Sequence, residues 1–430
     1  MNTLLYWFRN DLRLLDNPAF TAACAGATRL LPVYCHAPHS VSRWGFARTG
    51  RHREQWLHAN LAALGNDLAA QGSGLIELHG APADVLPALM RAVGASAIWC
   101  EAIAAPEEQA DVDALRAAGV LVHTVWQSSL LDPAALPFTA QHLPDDFTRF
   151  RQAVEKVALL ATPPLPTPPR IPSLPTLPAS LSVEPGRAAP PAITADARSS
   201  FPITSPAFAG GEHAALARVD YYVGGTPAVT YKATRNGLNG EDFSTKLSPW
   251  LAIGALSARS VPATLQKAEA ARGASEGGHW IWFELMWRDY FRLLHLKYGA
   301  QLYRERGLAS KPAAARPNDA ALLRWCEGRT GEPLVDAGMR ELAATGYLSN
   351  RMRQIVASYL IHELAGDWRA GAAWFEAQLI DYDVYSNQGN WLYIAGRGTD
   401  PRGGRQFNPV KQAREHDPRG KYQQLWSTNS

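Results

Sequence analysis

Short apolar runs alternate with amphipathic stretches through the first 125 residues of the chain. The strand-like runs are at 4–8, 30–35, 75–80, 96–101 and 120–125. Between them, residues 50–71 and 107–118 have the spacing of amphipathic helices. Strict alternation of strand and helix predicts an α/β domain with a doubly wound parallel sheet and helices on both faces. No GxGxxG follows the first run, which argues against an ordinary dinucleotide site in this domain.

From about residue 206 onward the strand-like runs end and helical periodicity takes over. Predicted helices are at 258–272, 280–298, 319–327, 336–345, 350–364 and 368–378. Nine of the fourteen tryptophans lie in this half, as expected for a large all-α domain with bulky core side chains.

A proline-rich stretch separates the two patterns. Eleven prolines occur among the 29 residues 163–191, a density that no helix or central strand accommodates. We therefore predict an α/β domain over 1–130, a long connector over 131–205 and a helical domain over 206–430. A proline-rich recognition motif for a partner is the alternative interpretation of this stretch.

Composition narrows the class of protein. A chain of 430 residues fits two cores better than one. No apolar run of 18 residues and no signal-type start occur, which predicts a cytoplasmic protein without a membrane segment. A monomer is expected. The four cysteines form no CxxC pair, which argues against a zinc or iron–sulfur site and against disulfides.

Charge divides unevenly along the chain. Residues 1–199 carry 15 basic and 17 acidic side chains, whereas residues 200–430 carry 27 and 22. This bias favours a polyanionic partner for the second half, and a slightly basic solvated surface is the alternative.

The segment DYDVYSNQGNW, residues 381–391, is rich in polar and aromatic side chains. Asp381 and Asp383 are predicted in a short extended or turn segment. Paired carboxylates are typical of metal or acid/base sites, but no further ligand follows nearby, so no metal is predicted. Carboxylates also bind hydroxyls or amines of a ligand, or a guanidinium such as that of Arg353.

A second segment rich in polar side chains is the predicted start of a helix at residues 244–249. Ser248 followed by Pro249 is typical of a helix N-cap and first helical position, and Ser244, Thr245 and Lys246 precede them. Such a helix start can bind a pyrophosphate, or it can be a plain capped helix.

Helical spacing also places polar side chains on common faces. One face combines Glu284, Trp287, Arg288 and Phe291, for which an exposed ion pair between Glu284 and Arg288 is the alternative. A second face combines Asn350, Arg353 and Gln354. Polar segments spread over 160 residues indicate one large ligand.

Long stretches of the chain resemble the photolyase/cryptochrome flavoprotein family. They are LYWFRNDLRLLDNPAF, TYKATRNGLNGEDFSTKLSPWLAIGALS, FELMWRDYFRLLHLKYG, VDAGMRELAATGYLSNRMRQIVASYL and DWRAGAAWFEAQLIDYDVYSNQGNWLY. They follow in the family's order over nearly the whole chain. Within the family, TYKATRNG, DYDVYSNQGNWLY and GGRQFNPVKQAREHDPRGKY are similar to the DASH cryptochromes.

The resemblance implies a bent FAD in the helical domain, with Asn387 facing the flavin N5. The implied cofactor-binding residues are Tyr231, Ser244, Thr245, Lys246, Leu247, Ser248, Arg288, Asn350, Arg353, Asp381, Tyr382, Asp383 and Asn387. A folate (methenyltetrahydrofolate) antenna near Glu107 is also implied, although Pro106, Leu302 and Tyr303 depart from the folate pattern.

The implied activity is blue-light-driven repair of cyclobutane pyrimidine dimers by electron transfer from reduced FAD to a flipped lesion. The implied DNA-binding residues are Glu284, Trp287, Arg288, Arg351, Gln354 and Tyr393, and the implied catalytic residues are Glu284, Asn350, Asn387, Trp391 and Trp368. Gln354 and Tyr393 make the pocket more polar than in photolyases for duplex DNA, which predicts a preference for single-stranded or locally open DNA. A blue-light photoreceptor and a non-repairing nucleic-acid-binding flavoprotein are the alternatives.

One part of the family pattern is missing. Trp391 and Trp368 match the inner members of the tryptophan chain for flavin photoreduction, but Ala315 stands where its exit tryptophan is expected. Trp325 or a nearby tyrosine is the predicted substitute, and slow photoreduction without a substitute is the alternative.

Overall fold

The computed structural model describes residues 2–178, 195–310, 318–400 and 402–427. Five parallel strands form one sheet in the order β3-β2-β1-β4-β5. They are β1 (Thr3–Phe8), β2 (Arg29–His36), β3 (Ile76–His79), β4 (Ala95–Glu101) and β5 (Val122–Val125). All five predicted strands are confirmed, with ends that differ by one or two residues.

Four helices cover this sheet: α1 (Pro18–Gly26), α2 (Arg51–Ala70), α3 (Pro82–Val93) and α4 (Pro106–Ala117). Leu4, Tyr6 and Phe8 of β1 belong to one buried cluster, and Leu5 and Trp7 belong to another. Alternate side chains of one strand thus enter two cores, so the sheet is buried on both faces and doubly wound as predicted. Helices α1 and α3 were not predicted from the sequence, because α1 is short and α3 contains an internal proline.

The proline-rich stretch has no helix or strand over residues 163–178, and residues 179–194 lie outside the described chain. Ile171 packs into one sheet core, and Leu174 and Leu177 pack against the other. This part of the connector therefore wraps along the sheet.

The rest of the chain is helical. Its helices are α5 (Phe147–Lys156), α6 (Glu212–Tyr222), α7 (Pro227–Thr234), α8 (Ser248–Ile253), α9 (Ser260–Arg272), α10 (Glu276–Tyr298), α11 (Asp319–Cys326), α12 (Pro333–Thr345), α13 (Asn350–Ser358), α14 (Trp368–Gln378), α15 (Val384–Ala395), α16 (Pro409–His416) and α17 (Lys421–Leu425). In the described residues from 206 onward no β-strand occurs, which confirms the all-α prediction. None of the helices in the described ranges is long and apolar enough to cross a bilayer.

One local prediction needs correction. Ser248 is not the N-cap of α8: Leu247 occupies that position, and no side chain caps the helix. The chain turns into the helix at Lys246, whose left-handed φ of 60° is uncommon for a residue with a Cβ. Asp381 and Asp383 lie in a short turn and extended segment as predicted, and Asp383 caps α15 by accepting from the Ser386 N–H at 2.6 Å.

Buried polar contacts fix the helical domain against the turn after β1. Arg259 pairs with Asp16 at 2.6 Å. The Glu212 carboxylate accepts from the N–H groups of Leu14 and Leu15 at 3.0 and 2.9 Å. These groups are mostly buried, so each would be costly to leave unpaired if the domains separated.

Gly254 ends α8 at the closest approach of the two domains. Its φ is 73°, and any Cβ there would overlap the carbonyl oxygen of Asn10. Its own carbonyl accepts from Arg13 at 2.9 Å. Only glycine combines this conformation with this contact.

Candidate functional site

A cavity of about 530 Å³ opens between α13, α14 and α15, and we call it the central cavity. It is lined by Asn350, Arg353, Gln354, Ala357, Phe375, Leu379, Asp381, Tyr382, Asp383, Ser386, Asn387, Asn390, Trp391 and Ile394. Two sequence segments about thirty residues apart thus contribute their polar side chains to one space. Most of the predicted cofactor residues from these segments lie here.

Arg353 and Asp381 form the main charged contact of the central cavity. Arg353 Nη2 donates to Asp381 Oδ2 at 2.8 Å, and its Nε donates to the Leu348 carbonyl at 3.0 Å. Burial works against the charge on Arg353, but Asp381 outweighs it and raises the pKa of the guanidinium. Asp381 Oδ1 is buried without a hydrogen-bond partner in the described residues. It is an acceptor ready for a ligand hydroxyl or amine.

Arg288 approaches the same cavity from α10. Its Nη1 donates to the Ser128 carbonyl at 2.6 Å and its Nη2 to the Leu251 carbonyl at 3.2 Å, and Nη2 lies 4.0 Å from Asp383 Oδ2. Burial lowers the pKa of this guanidinium. The alternative of an exposed Glu284–Arg288 pair is wrong, since Arg288 faces Asp383.

Glu284 pairs instead with Arg235 at the C-terminal end of α7. Burial raises the pKa of Glu284 and Arg235 works against that rise. The guanidinium of Arg235 also lies 4.4 Å from the ring centroid of Trp280. Sequence reasoning missed Arg235 as a site residue, because its partner is 49 residues away.

Two aromatic rings stand near Glu284, and we call Glu284, Trp287 and Tyr393 the mouth. The ring centroids of Trp287 and Tyr393 are 5.7 Å apart, in an edge-to-face arrangement. Tyr393 accepts from Arg405 Nε at 2.7 Å. Arg351 donates to Asn236 at 2.9 Å, and its Nε has no partner in the described residues.

The other predicted phosphate-binding residues, Tyr231 and 244–248, do not line the central cavity. The ammonium of Lys246 lies 4.9 Å from the ring centroid of Tyr347. Burial lowers the pKa of Lys246 to about 8, and the charges of Glu341 and Asp381 oppose this. Lys246 therefore belongs to the same electrostatic network as the central cavity.

Glu341 is the buried carboxyl of that network, and the Tyr422 hydroxyl donates to it. Burial raises the pKa of Glu341 to about 8. The folded protein thus holds a proton that the unfolded chain releases above its ordinary pKa of 4.5. The resulting stability is complete below that value and is lost as pH rises through about 8.

Glu341→Gln, which keeps the neutral shape, is therefore expected to remove this pH dependence. Its melting temperature should match that of the unchanged protein near about pH 5 and exceed it near about pH 9. Thermal denaturation across pH measures the difference. The exposed Glu327→Gln is the control. Parallel melting curves for Glu341→Gln and the unchanged protein at all pH values would contradict the prediction.

Buried aromatic rings continue from the central cavity into the helical core. Trp391 is 2 % exposed, and its ring centroid lies 5.1 Å from that of Phe375 and 6.4 Å from that of Trp325. Trp368 is also buried and donates its indole N–H to the Glu305 carbonyl at 3.0 Å. Ala315 lies outside the described residues.

Comparison with known families agrees with this geometry. Family models described as "DNA photolyase" and "FAD binding domain of DNA photolyase" match residues 4–170 and 280–429. The chain belongs to the photolyase/cryptochrome family. Membership supports light-dependent DNA repair or photoreception as its general function.

Individual members of the photolyase/cryptochrome family are similar over the whole chain. Cryptochrome DASH of Synechocystis sp. is 40 % identical over 99 % of this chain and 87 % of its own. Cryptochrome DASH of Danio rerio is 42 % identical over 99 % and 82 %. The predicted similarity to DASH cryptochromes is confirmed.

Solved structures of the photolyase/cryptochrome family share the fold. The crystal structure of Synechocystis sp. cryptochrome has a TM-score of 0.92 at 39 % identity, covering 99 % of this chain and 88 % of that one. A class III photolyase from Agrobacterium tumefaciens has a TM-score of 0.81 at 28 % identity, covering 99 % and 86 %.

The FAD of the photolyase/cryptochrome family fits the residues of the central cavity. Asp381 offers an unpartnered acceptor and Arg353 a half-buried cation in the same space, and Arg288 lies 4.0 Å from Asp383 on its wall. Asn387 lies on the wall, where its amide donates to the Ala372 carbonyl at 3.1 Å. Acceptors and cations in this arrangement suit a ligand that carries hydroxyls, amines and phosphates.

Glu107, where the folate antenna is predicted, takes part in an ion pair between the two domains. Arg48 contacts Glu107 at 2.6 Å and Glu376 at 3.0 Å, so one guanidinium bridges carboxylates of the two domains. Leu302 is buried, and Tyr303 packs against the helical core. An exposed pair of this kind is weak and leaves Glu107 accessible, so the folate antenna stays a prediction.

Proposed function

We propose that the chain repairs cyclobutane pyrimidine dimers with blue light, with a preference for single-stranded or locally open DNA. The observation that supports this most is that Gln354, assigned to the lesion, and Asn350, assigned to catalysis and the cofactor, line the same cavity as Asp381 and Arg353. A dimer held there would meet the flavin directly. Electron transfer over such a contact requires that the lesion leave the base stack.

In this proposal the reduced FAD, when bound, supplies the light-excited electron that splits the dimer and takes it back, without net redox change. Arg353 and Asp381 orient the cofactor through their buried ion pair. Glu284 accepts from an imide N–H of the flipped bases, and Arg235 holds this carboxylate ionised against burial. Asn387 presents its side chain to the flavin from the cavity wall.

The preference for open DNA follows from the balance of flipping and pocket contacts. Flipping a base out of a duplex costs about a few kcal/mol, and less where pairing is already weak. Gln354 and Tyr393 offer polar surface, which recovers less of that energy than apolar side chains would.

One experiment tests the proposal directly. Reduced protein is incubated with dimer-containing oligonucleotides, single- and double-stranded, under blue light and in darkness. We expect repair only in the light and faster in single strands. Absence of light-dependent repair in both substrates would contradict the proposed activity, and equal repair of both would contradict the strand preference.

Gln354→Met is expected to shift the strand preference toward duplex DNA. The apolar side chain recovers about 1 kcal/mol more on contact with a flipped base, so the ratio of duplex to single-strand repair should rise several-fold. Initial repair rates on both substrates measure this ratio. Gln301→Met, at an exposed position, is the matched control. An unchanged ratio in Gln354→Met would show that this side chain does not set the preference.

We further propose that the protein acts as a monomer in the cytoplasm. Relatives from Oryza sativa and Arabidopsis thaliana are named chloroplastic/mitochondrial, so the compartment varies among DASH cryptochromes. Light scattering on the purified protein and imaging of a tagged chain in its own cells test the two statements.

A further inference from the structure

A second cavity, of about 740 Å³, adjoins the mouth between α10 and α15, and we call it the side cavity. Trp287 and Tyr393 line it, and Gly398–Asp400 and Arg402 lie along its edge. Of the described residues in its walls, only Trp287 and Tyr393 are among those assigned to the lesion.

The walls of the side cavity are aromatic. Phe147 stacks on Trp287 with ring centroids 3.8 Å apart and planes tilted by 11°. Phe291 lies 5.5 Å from Trp287. Flat, sequence-tolerant surfaces of this kind are what single-stranded nucleic acid bases stack on.

The deep end of the side cavity is uncharged. His295 lines it, and burial lowers the pKa of this imidazole to about 4, so it is neutral at physiological pH. Its Nδ1 is hydrogen-bonded to the Phe291 carbonyl at 2.8 Å, and its Nε2 to the Tyr303 hydroxyl at 3.0 Å. A neutral ring therefore suits this space better than an ion.

The charged residues that line the side cavity are Asp146, Asp400 and Arg402. Arg402 is 68 % exposed and lies 3.3 Å from Asp400, which Arg405 also contacts at 2.5 Å. Arg149 is not a lining residue, but it is 81 % exposed and lies 3.2 Å from Asp146. Exposed pairs of this kind are weak, so each arginine can exchange its carboxylate for a phosphate.

We infer that the side cavity binds the base of the nucleotide next to the dimer in the same strand. The inference rests on the proposed function and deepens it. Continuity with the mouth brings this neighbour within reach, the aromatic walls bind its ring, and Arg402, with Arg149 beside the lining residue Asp146, binds its phosphates. A second base leaves the stack freely in single strands but only by breaking another pair in a duplex, which adds to the preference for open DNA.

Abasic substitution tests the inference. Single-stranded oligonucleotides carry one dimer and, in separate molecules, an abasic nucleotide on its 5′ or its 3′ side. We expect the Kd to rise about tenfold when the base is removed on one of the two sides, as is typical for the loss of one stacked base. An abasic nucleotide several positions away is the reference.

Gly398 offers a way to fill the side cavity without touching the mouth. A Cβ built there lies 3.4 Å from Leu392 Cβ, an ordinary contact on the cavity wall. Gly398→Leu therefore fills the space, whereas Gly398→Ala barely enters it. We expect Gly398→Leu to abolish the abasic effect and Gly398→Ala to keep it. Flavin content and melting temperature establish that both variants are folded.

The outcomes separate the inference from the proposed function. Light-dependent repair with no abasic effect on either side would overturn the inference alone. An abasic effect that persists unchanged in folded Gly398→Leu would place the base elsewhere and also overturn it. A protein that repairs no dimer in the light would overturn the proposed function and the inference with it.

Discussion

Asp381→Asn is expected to yield protein with little bound flavin and a melting temperature lowered by several degrees. Arg353 is buried beside Asp381, with a 2.8 Å hydrogen bond between them. Removing one charge of a buried pair leaves the other uncompensated and destabilises a protein by about 3–5 kcal/mol. The flavin-to-protein absorbance ratio and thermal denaturation measure the two effects.

Two further variants make this prediction sharp. Asp196→Asn removes a carboxylate that pairs with Arg198 at 2.7 Å in a more open setting, and it should change neither quantity appreciably. The double variant Asp381→Asn/Arg353→Met removes both charges, so it should recover stability without recovering flavin. Full flavin content in Asp381→Asn would contradict the role assigned to this carboxylate.

Most of the fold could be predicted from the periodicity of hydrophobic residues along the chain. The run of β1 is apolar at every position because both faces are buried, which is the pattern of a parallel sheet covered by helices. Helices whose hydrophobic periodicity is weak were not predicted. In α15 this periodicity is weak because polar residues that line the cavity interrupt the apolar stripe. The cap of α8 was placed wrongly because the left-handed Lys246 moves the helix start to Leu247, which no residue-type preference predicts.

The candidate site was only partly visible in the sequence. Helical spacing places Asn350, Arg353 and Gln354 on one face, and the cavity confirms that grouping. Contacts between distant segments have no local signal, so the Arg235–Glu284 pair was not predicted. The partner of a buried charge is decided by the packing of whole helices, which residue types along the chain do not reveal.

Trp391→Phe is expected to slow light-driven reduction of the bound flavin by orders of magnitude while chemically reduced protein still repairs dimers. Trp391 lines the central cavity, and the rings beyond it are Phe375 and Trp325, at 5.1 and 6.4 Å. Phenylalanine is far harder to oxidise than tryptophan, so the first electron donor is lost. Bleaching of the oxidised-flavin band under blue light measures the reduction, and product analysis measures repair.

Variants beyond Trp391 locate the next donor. Trp325→Phe is expected to slow photoreduction as well, because the Trp325 ring lies edge-on to Trp391 and Ala315 supplies no indole. Trp368→Phe measures the contribution of the other inner tryptophan. Trp426→Phe is the matched control, since this indole is equally buried but packs under Arg198, at 4.2 Å, rather than on Trp391. Photoreduction at the unchanged rate in Trp391→Phe would contradict this path. A slower photoreduction in Trp368→Phe but not in Trp325→Phe would assign the second electron-transfer step to Trp368. A tryptophan whose removal leaves the rate unchanged does not carry the electron.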